Sequence, residues 1–411
     1  MAWGAERKFE TAQPSSFGFF RSAMNNLHRG STREMPVAVL KHPERWMRRA
    51  LTLARRGFGR TAPNPMVGAV LWKRGKIIGE GWHHEAGRAH AEIEAFRDAQ
   101  QRGHDPRGST LVVTLEPCST HGRTPPCTDA IIKAGVAGVV VGATDPNPVH
   151  AGRGFALLRR AGVKVTSGVL ESEATQLNEA FNYWIRRQLP LVTVKSGLTL
   201  DGKIATASGE SKWITSERSR AWAMRLRQGS DAIIVGINTV LADDASLTVR
   251  RGGRAVEVAF QPLRVVLDSR ARTPLAARIL NDEYAANTIV VTTKAAGENR
   301  LAVLRRRATV WVAPQTNGRV SLSWLLARLG AEGVMSALVE GGGEVSAAFF
   351  AKRLVHRVAF FYAPKVLADA RAFPAVAGEG GKRWSQVTRL CEARWRRLGV
   401  DLVLTARVKD D

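Results

Sequence analysis

HAEIEA, residues His90 to Ala95, and EPCSTHGRTPPC, residues Glu116 to Cys127, decide how the first half of the chain is read. A His and a Glu two apart at a helix start offer one metal ligand and one proton carrier. Catalytic zinc takes three protein ligands, often His and Cys, and leaves a fourth position for water. Zinc sites that hydrolyse nucleobase amines use H-x-E followed by P-C-x-x-C, and the Glu moves protons without binding the ion. His90-Ala91-Glu92 fits the first half, and Pro117-Cys118 begins the second. The spacing then departs, because eight residues separate Cys118 from Cys127.

Geometry decides whether that departure matters. Both sulfurs need only lie about 2.3 Å from one ion. The intervening STHGRTPP holds Gly122 and two prolines, so it can bulge outward and return. Cys127 opens the helical stretch TDAIIKAG, and His90 opens another. Two helix N-termini then point their positive ends at the cluster, which favours thiolate. The residues therefore predict zinc held by His90, Cys118 and Cys127, with Glu92 as proton shuttle. Three other histidines lie close in sequence. His121 is expected in the bulge, facing substrate, while His83 and His84 are expected at the surface.

Working outward, PERWMRRALTLARRG (Pro43–Gly57) carries a helical apolar stripe with Pro at its start and Gly at its end. MVGAVLWKRGKIIGEGWH reads as a strand, a KRGK turn and a second strand. STLVVTLEPC is a buried strand ending at Cys118. AGVAGVVVGA is a buried strand, followed by the helix GFALLRRAG, the strand VKVTSGV and one longer helix from about Glu171 to Gln188. Strands alternating with helices predict an α/β layered domain with a partly parallel sheet. Leu189-Pro190 breaks the pattern, and α/β alternation resumes through DAIIVGINTVLADD, LRVVLDS, NTIVVTT, ATVWVAP, SALVEGGGEVSAAFF and RVAFFYAPKVL.

At 411 residues the chain is too long for one ordinary core. The expected division is an extension over 1–40, which has no sustained period, a first domain over 41–188 and a second over 189–411. No apolar run reaches the roughly 18 residues that cross a bilayer. Three cysteines give no disulfide framework, and a reducing, cytoplasmic setting is expected, with Cys391 an inert, partly buried thiol. The net charge of +25 is scattered as Arg pairs on helix faces, without interleaved stacking aromatics. It reads first as a solvated surface, with selection for small anionic substrates as the alternative and a polynucleotide groove third, and neither nucleic acid nor membrane is expected as a partner.

The second half has no G-x-G-x-x-G after a strand. Its candidate phosphate loop is VEGGGEVSAAFF, where Gly341, Gly342 and Gly343 join a strand to a helix. Bare backbone N–H groups at a helix N-terminus suit a phosphate. A tight turn alone explains three glycines equally well.

TAPNPMVGAV, HAEIEA, TLEPCSTHGRTPPCTDAI, DPNPVHAGRG, LTLDGKIATASGESKWIT and VLADD together resemble the bifunctional riboflavin-biosynthesis deaminase/reductase family, from about residue 43 to the C-terminus. The long Cys118–Cys127 spacing is that family's own pattern. The resemblance implies a cytidine-deaminase-like three-layer domain followed by a dihydrofolate-reductase-like domain. It implies zinc-dependent deamination of 2,5-diamino-6-ribosylamino-4(3H)-pyrimidinone 5′-phosphate, then NADPH-dependent reduction of the ribosyl chain to ribityl, in a homo-oligomer. Asn64 would hold the pyrimidine. Ser211, Arg227, Leu247, Arg250 and Glu340 would line the substrate side of the second site, with Arg227 and Arg250 clamping the ribose phosphate. Gly197, Trp213, Thr239, Asp243, Ser269, Gly342 and Gly343 would line the cofactor side. Lys203 would stabilise the opened sugar.

Overall fold

The computed structural model describes residues 42–121, 125–251, 254–257, 260–381 and 383–409. The extension expected over 1–40 lies outside them. The first half contains α1 (Pro43–Ala54), β1 (Gly68–Lys73), β2 (Lys76–Trp82), α2 (Ala91–Gln101), β3 (Thr110–Leu115), α3 (Cys127–Lys133), β4 (Gly138–Ala143), α4 (Arg153–Arg160), β5 (Lys164–Thr166), α5 (Glu171–Leu177) and α6 (Glu179–Arg187). Its sheet runs β2-β1-β3-β4-β5. The β1–β2 hairpin and the β1–β3 pair are antiparallel, and β3-β4-β5 is parallel.

The apolar runs are strands because alternate side chains leave opposite faces and both faces are covered. Leu111, Val113, Val139 and Val141 meet α2, α3 and α4 through Ala91, Ala95, Ile131, Phe155 and Leu158. Val70, Val112 and Val140 meet α1 and α5 through Met47, Leu51 and Ala174. Close approach of α2 to β2 needs bare backbone: a Cβ on Gly81 would fall 2.3 Å from the Ala91 carbonyl oxygen.

One expectation fails here. The single helix from Glu171 to Gln188 is two helices, broken at Asn178, whose φ is −110°. The buried Asn178 amide accepts from Met66 N (2.8 Å) and donates to Met66 O (2.9 Å), so it pairs with a distant peptide at the helix break. Beyond the break, α6 packs on the second sheet. Trp184 Nε1 donates to the Gly330 carbonyl (2.9 Å), and Glu179 pairs with Arg357 and Arg407.

The second half contains β6 (Leu191–Thr199), β7 (Lys203–Ala205), α7 (Glu217–Gln228), β8 (Ala232–Gly236), α8 (Ile237–Asp243), β9 (Arg250–Arg251), β10 (Arg254–Ala255), β11 (Leu263–Leu267), α9 (Arg278–Asn281), β12 (Thr288–Thr292) and α10 (Glu298–Arg305). It continues with β13 (Thr309–Val312), β14 (Gln315–Thr316), β15 (Arg319–Val320), α11 (Leu322–Ala331), β16 (Ser336–Val339), α12 (Gly343–Ala351), β17 (Arg357–Ala363), β18 (Phe373–Pro374), β19 (Leu390–Leu398) and β20 (Asp401–Val408). The main sheet has nine strands in the order β13-β12-β11-β8-β16-β6-β17-β20-β19. It is parallel as far as β17, and β20 and β19 close it antiparallel. Alternation again fills two faces. Ile234, Val265 and Val291 pack with α11, and Ile233, Val266 and Val290 pack with α8, α9 and α10. The β19–β20 hairpin has no counterpart in the expected strands. LCEARWRRL is exposed along most of its length and shows no apolar alternation to read.

A buried ion pair ties α7 to the end of β16. Arg227 Nε and Nη2 donate to the two Glu340 oxygens at 2.9 and 2.8 Å, and Nη1 donates to Thr248 O at 3.0 Å. Burial pushes the Glu340 carboxyl up, but the Arg227 and Lys195 charges outweigh it and hold the group down to about 2.

Two outcomes are expected. Gly81→Ala should lose about 1–3 kcal/mol in urea unfolding, because overpacking must push α2 off the sheet. Full stability in that variant would refute the contact. A folded-state pKa below the unfolded value means the Glu340 contribution is complete above about pH 4.5 and is lost as pH falls through about 2. Arg227→Met strands a buried carboxylate and should cost about 3–5 kcal/mol at pH 7. That deficit should shrink as acid neutralises the stranded group, and a pH-independent deficit would count against the pairing.

Candidate metal centre and cofactor cleft

His90 is the N-cap of α2, Cys127 is the first residue of α3, and Cys118 lies three residues beyond β3. The fold brings them together at the carboxyl end of the parallel strands. His90 Nδ1 lies 3.2 Å from Cys127 Sγ and 3.5 Å from Cys118 Sγ, and all three ligand atoms fall within 4.8 Å of one another. Tetrahedral zinc with ordinary Zn–S and Zn–N bonds separates N from S by about 3.6 Å and S from S by about 3.8 Å. The donor set and its spacing fit that ion.

The electrostatics point the same way. Cys127 N donates to Cys118 Sγ at 3.3 Å. Hydrogen bonding from Cys127 and from His90 holds the Cys118 thiol down to about 4, while contact with Cys118 and burial push the Cys127 thiol up. Two thiolates this close need a cation between them. Glu92 is 3% exposed on the first turn of α2. Burial, then the Cys118 charge, pushes its carboxyl up to about 7.

Two positioning groups escape sequence reasoning. Glu116 accepts from the backbone N–H groups of Asp145 (3.1 Å), Gly152 (3.0 Å) and Gly154 (2.9 Å), which fixes the segment that delivers Cys118. His83 is 2% exposed, which corrects its expected surface position. Its Nδ1 lies 3.1 Å from the Ala89 carbonyl and its Nε2 3.0 Å from Asn64 Nδ2. A carbonyl only accepts, so Nδ1 carries the proton and Nε2 accepts from the Asn64 amide. Asn64 Oδ1 is thereby turned away from His83. The doublet GWHH gives no local sign of this, since burial comes from the chain folding back over the start of α2. His84 stacks on Trp82 and is exposed, as is His121.

In the second half, the cofactor-side candidates gather along the carboxyl edge of the parallel strands, where open α/β sheets bind ligands. Thr239 and Asp243 lie on α8, directly after β8, and Ser269 follows β11. Ser211 Oγ donates to Asp243 Oδ1 at 3.1 Å. Ser269 Oγ accepts from Val320 N at 3.2 Å. Gly197 lies on β6. Gly342 caps α12 and faces open space, whereas a Cβ on Gly343 would fall 2.3 Å from the Pro374 carbonyl oxygen. Gly343 is therefore explained by packing, and Gly342 is left open to a ligand.

Arg227, Arg250, Glu340 and Trp213 line one cavity of about 1330 Å³. Trp213 is 65% exposed, under the Arg220 guanidinium. Leu247 is buried in the left-handed region at φ 52°. Arg227, expected as a phosphate clamp, spends its fork on Glu340, and Arg250 is exposed. Lys203 donates to the Ala372 carbonyl at 3.2 Å on the short β7–β18 ribbon. Cys391 is half-buried on β19.

Residues 40–143 match the cytidine and deoxycytidylate deaminase zinc-binding region, and residues 190–404 match the RibD C-terminal domain. The riboflavin biosynthesis protein RibD of Aquifex aeolicus is 42% identical over 359 residues, covering 87% of this chain and 96% of that protein. The solved structure of Acinetobacter baumannii RibD, form 1, is 37% identical, covers 90% of this chain and 99% of its own, and superposes with a TM-score of 0.80. A Thermotoga maritima diaminohydroxyphosphoribosylaminopyrimidine deaminase/5-amino-6-(5-phosphoribosylamino)uracil reductase is 35% identical, covers 89% and 99%, and gives a TM-score of 0.76. No helix among the described residues is long and apolar enough to cross a membrane. With a cytidine-deaminase-like first domain and a reductase second domain in one chain, the protein belongs to the RibD family of bifunctional deaminase/reductases of riboflavin biosynthesis.

Proposed function

We propose that residues 41–188 deaminate 2,5-diamino-6-ribosylamino-4(3H)-pyrimidinone 5′-phosphate and residues 189–411 then reduce its ribosyl chain. The observation that carries this reading is the His90–Cys118–Cys127 cluster with Glu92 buried beside it. Zinc on those three residues supplies Lewis-acid activation of water at neutral pH. Glu92 takes a proton from the attacking water and delivers it to the departing ring amine. One water enters, the C–N bond breaks, ammonia leaves and the ring keeps a carbonyl. A buried carboxyl whose proton affinity sits near the working pH suits both halves of that transfer. Asn64, turned by His83, presents its amide oxygen to the pyrimidine.

NADPH supplies the hydride for the second step. Hydride transfer requires the nicotinamide and the acceptor carbon to be held in register. Gly197, Trp213, Thr239, Asp243, Ser269 and Gly342 form the cofactor side, with Gly342 opening the N-terminus of α12 to a phosphate and Gly343 packing the turn behind it. Ser211, Arg227, Leu247, Arg250 and Glu340 form the substrate side. Arg227 acts there by fixing Glu340, and Arg250 offers the freer charge.

Glu92→Gln should keep its zinc by atomic absorption and lose deamination by about 10²–10⁴-fold. Normal turnover in that variant rules out the shuttle role. A paired assay on purified protein follows ammonia release with and without NADPH, and NADPH absorbance in parallel. Ammonia without NADPH, then NADPH oxidation once it is added, is the expected order. Ammonia with no NADPH loss leaves the second domain without the proposed activity.

A further inference from the structure

The cavity that holds Arg227, Arg250 and Glu340 is not built from the second domain alone. The segment Arg55–Arg60, which follows α1 in the first domain, forms one of its walls. That wall is locked in place against the carboxyl end of α7. Gly59 takes φ 74°, and a Cβ there would fall 2.2 Å from the Gln228 carbonyl oxygen. Across the same contact, a Cβ on Gly229 would fall 2.4 Å from the Phe58 ring. Arg60 carries its guanidinium 4.1 Å from the Phe260 ring centroid, on the cavity wall.

Charge shows what the wall is for. Among the described residues, eight cationic side chains line the cavity against three carboxylates. One of those carboxylates, Glu340, is already committed to Arg227 and Lys195. No ion pair among the described residues engages Arg60; its charge acts at longer range on Glu85, which is itself paired with Arg88, and its stacking on Phe260 leaves the guanidinium edge free to donate. The cavity takes in Arg227, Arg250 and Glu340 from the substrate side but only Trp213 from the cofactor side, so it is the substrate end of the cleft. An aromatic-backed, unpaired arginine facing that space is the arrangement a phosphate monoester recognises.

We infer that Arg60, a residue of the deaminase domain, completes the reductase substrate site by binding the phosphate of the sugar-phosphate substrate. The inference rests on the two-step reading above. It makes the second step dependent on the first domain's backbone, independently of any transfer of intermediate between the sites.

The test uses the full-length, zinc-loaded chain as wild type, Arg60→Ala and Arg60→Lys. NADPH oxidation is followed with the deaminated ribotide and with its dephosphorylated riboside. In Arg60→Ala the KM for the ribotide should rise about tenfold, the size of one lost charge-assisted contact. kcat and the KM for NADPH should stay within about twofold, and Arg60→Lys should recover part of the loss. The riboside should be handled alike by wild type and Arg60→Ala. Deamination by the same preparations reports that the fold is intact. An unchanged ribotide KM overturns the assignment. So does an equal loss on the riboside, which would make the wall mere packing, or a raised KM for NADPH, which would place Arg60 on the cofactor's phosphates. A wild-type chain that oxidises no NADPH overturns the two-step reading itself, and this inference with it.

Discussion

Strands buried on both faces leave only their ends for chemistry. In the first sheet β3 and β4 are buried at every position, and in the second β8, β12 and β16 are as well. A polar group in the middle of such a strand would have no water and few partners. The functional side chains therefore sit where strands stop and helices begin: Cys118 beyond β3, His90 and Cys127 at helix starts, Thr239 in the first turn of α8, Glu340 at the end of β16. Helix N-termini at these edges supply unpaired N–H groups and a positive field. Placement of the sites follows from covering the sheets.

The same constraint sets the electrostatics. Glu92 and Cys127 are buried close to the half-buried Cys118, so their charges are poorly screened from one another. Without an ion, one sulfur gives way and Glu92 holds its proton more tightly. With an ion, the negative groups become its ligands and its proton acceptor. Glu340 is the contrasting case. Its side chain is also largely buried, but Arg227 and Lys195 neutralise it, so it has no proton to exchange near neutrality. Two buried glutamates thus have opposite titration behaviour, set by neighbours rather than by depth.

Much of this was legible in the sequence because the signals are local. H-x-E at a helix start, a cysteine after a buried strand and a cysteine opening a helix each carry their own structural context. The long loop between the cysteines was readable because ligation constrains distances, not spacing. Pairings between distant residues were not legible. Arg227 and Glu340 are 113 positions apart, and nothing near either one announces the other. His83 looks like any polar residue after a hairpin until the turn before α2 buries it. Asn178 interrupts a good helical pattern because its amide bonds to Met66, 112 residues earlier. β19 escaped for another reason. An exposed edge strand rich in arginine lacks the apolar alternation that marks half-buried strands.

The net charge of +25 divides by environment rather than forming one surface. Arg264 is almost fully buried and has a carboxylate of its own, in Asp282 at 2.6 and 2.8 Å, with the Ile279 and Ser246 carbonyls taking further N–H groups. Arg357 and Arg407 share Glu179 and hold α6 to the second sheet. These arginines serve packing, and their charge is spent. Those around the large cavity differ, because the carboxylates there are fewer. The junction between the halves is made like a core, with Gly59 on Gln228, Gly330 under Gln188 and Trp184 bonded to Gly330. A junction that tight can hold an arginine from one domain at a fixed place in the other's site, which a flexible linker could not do.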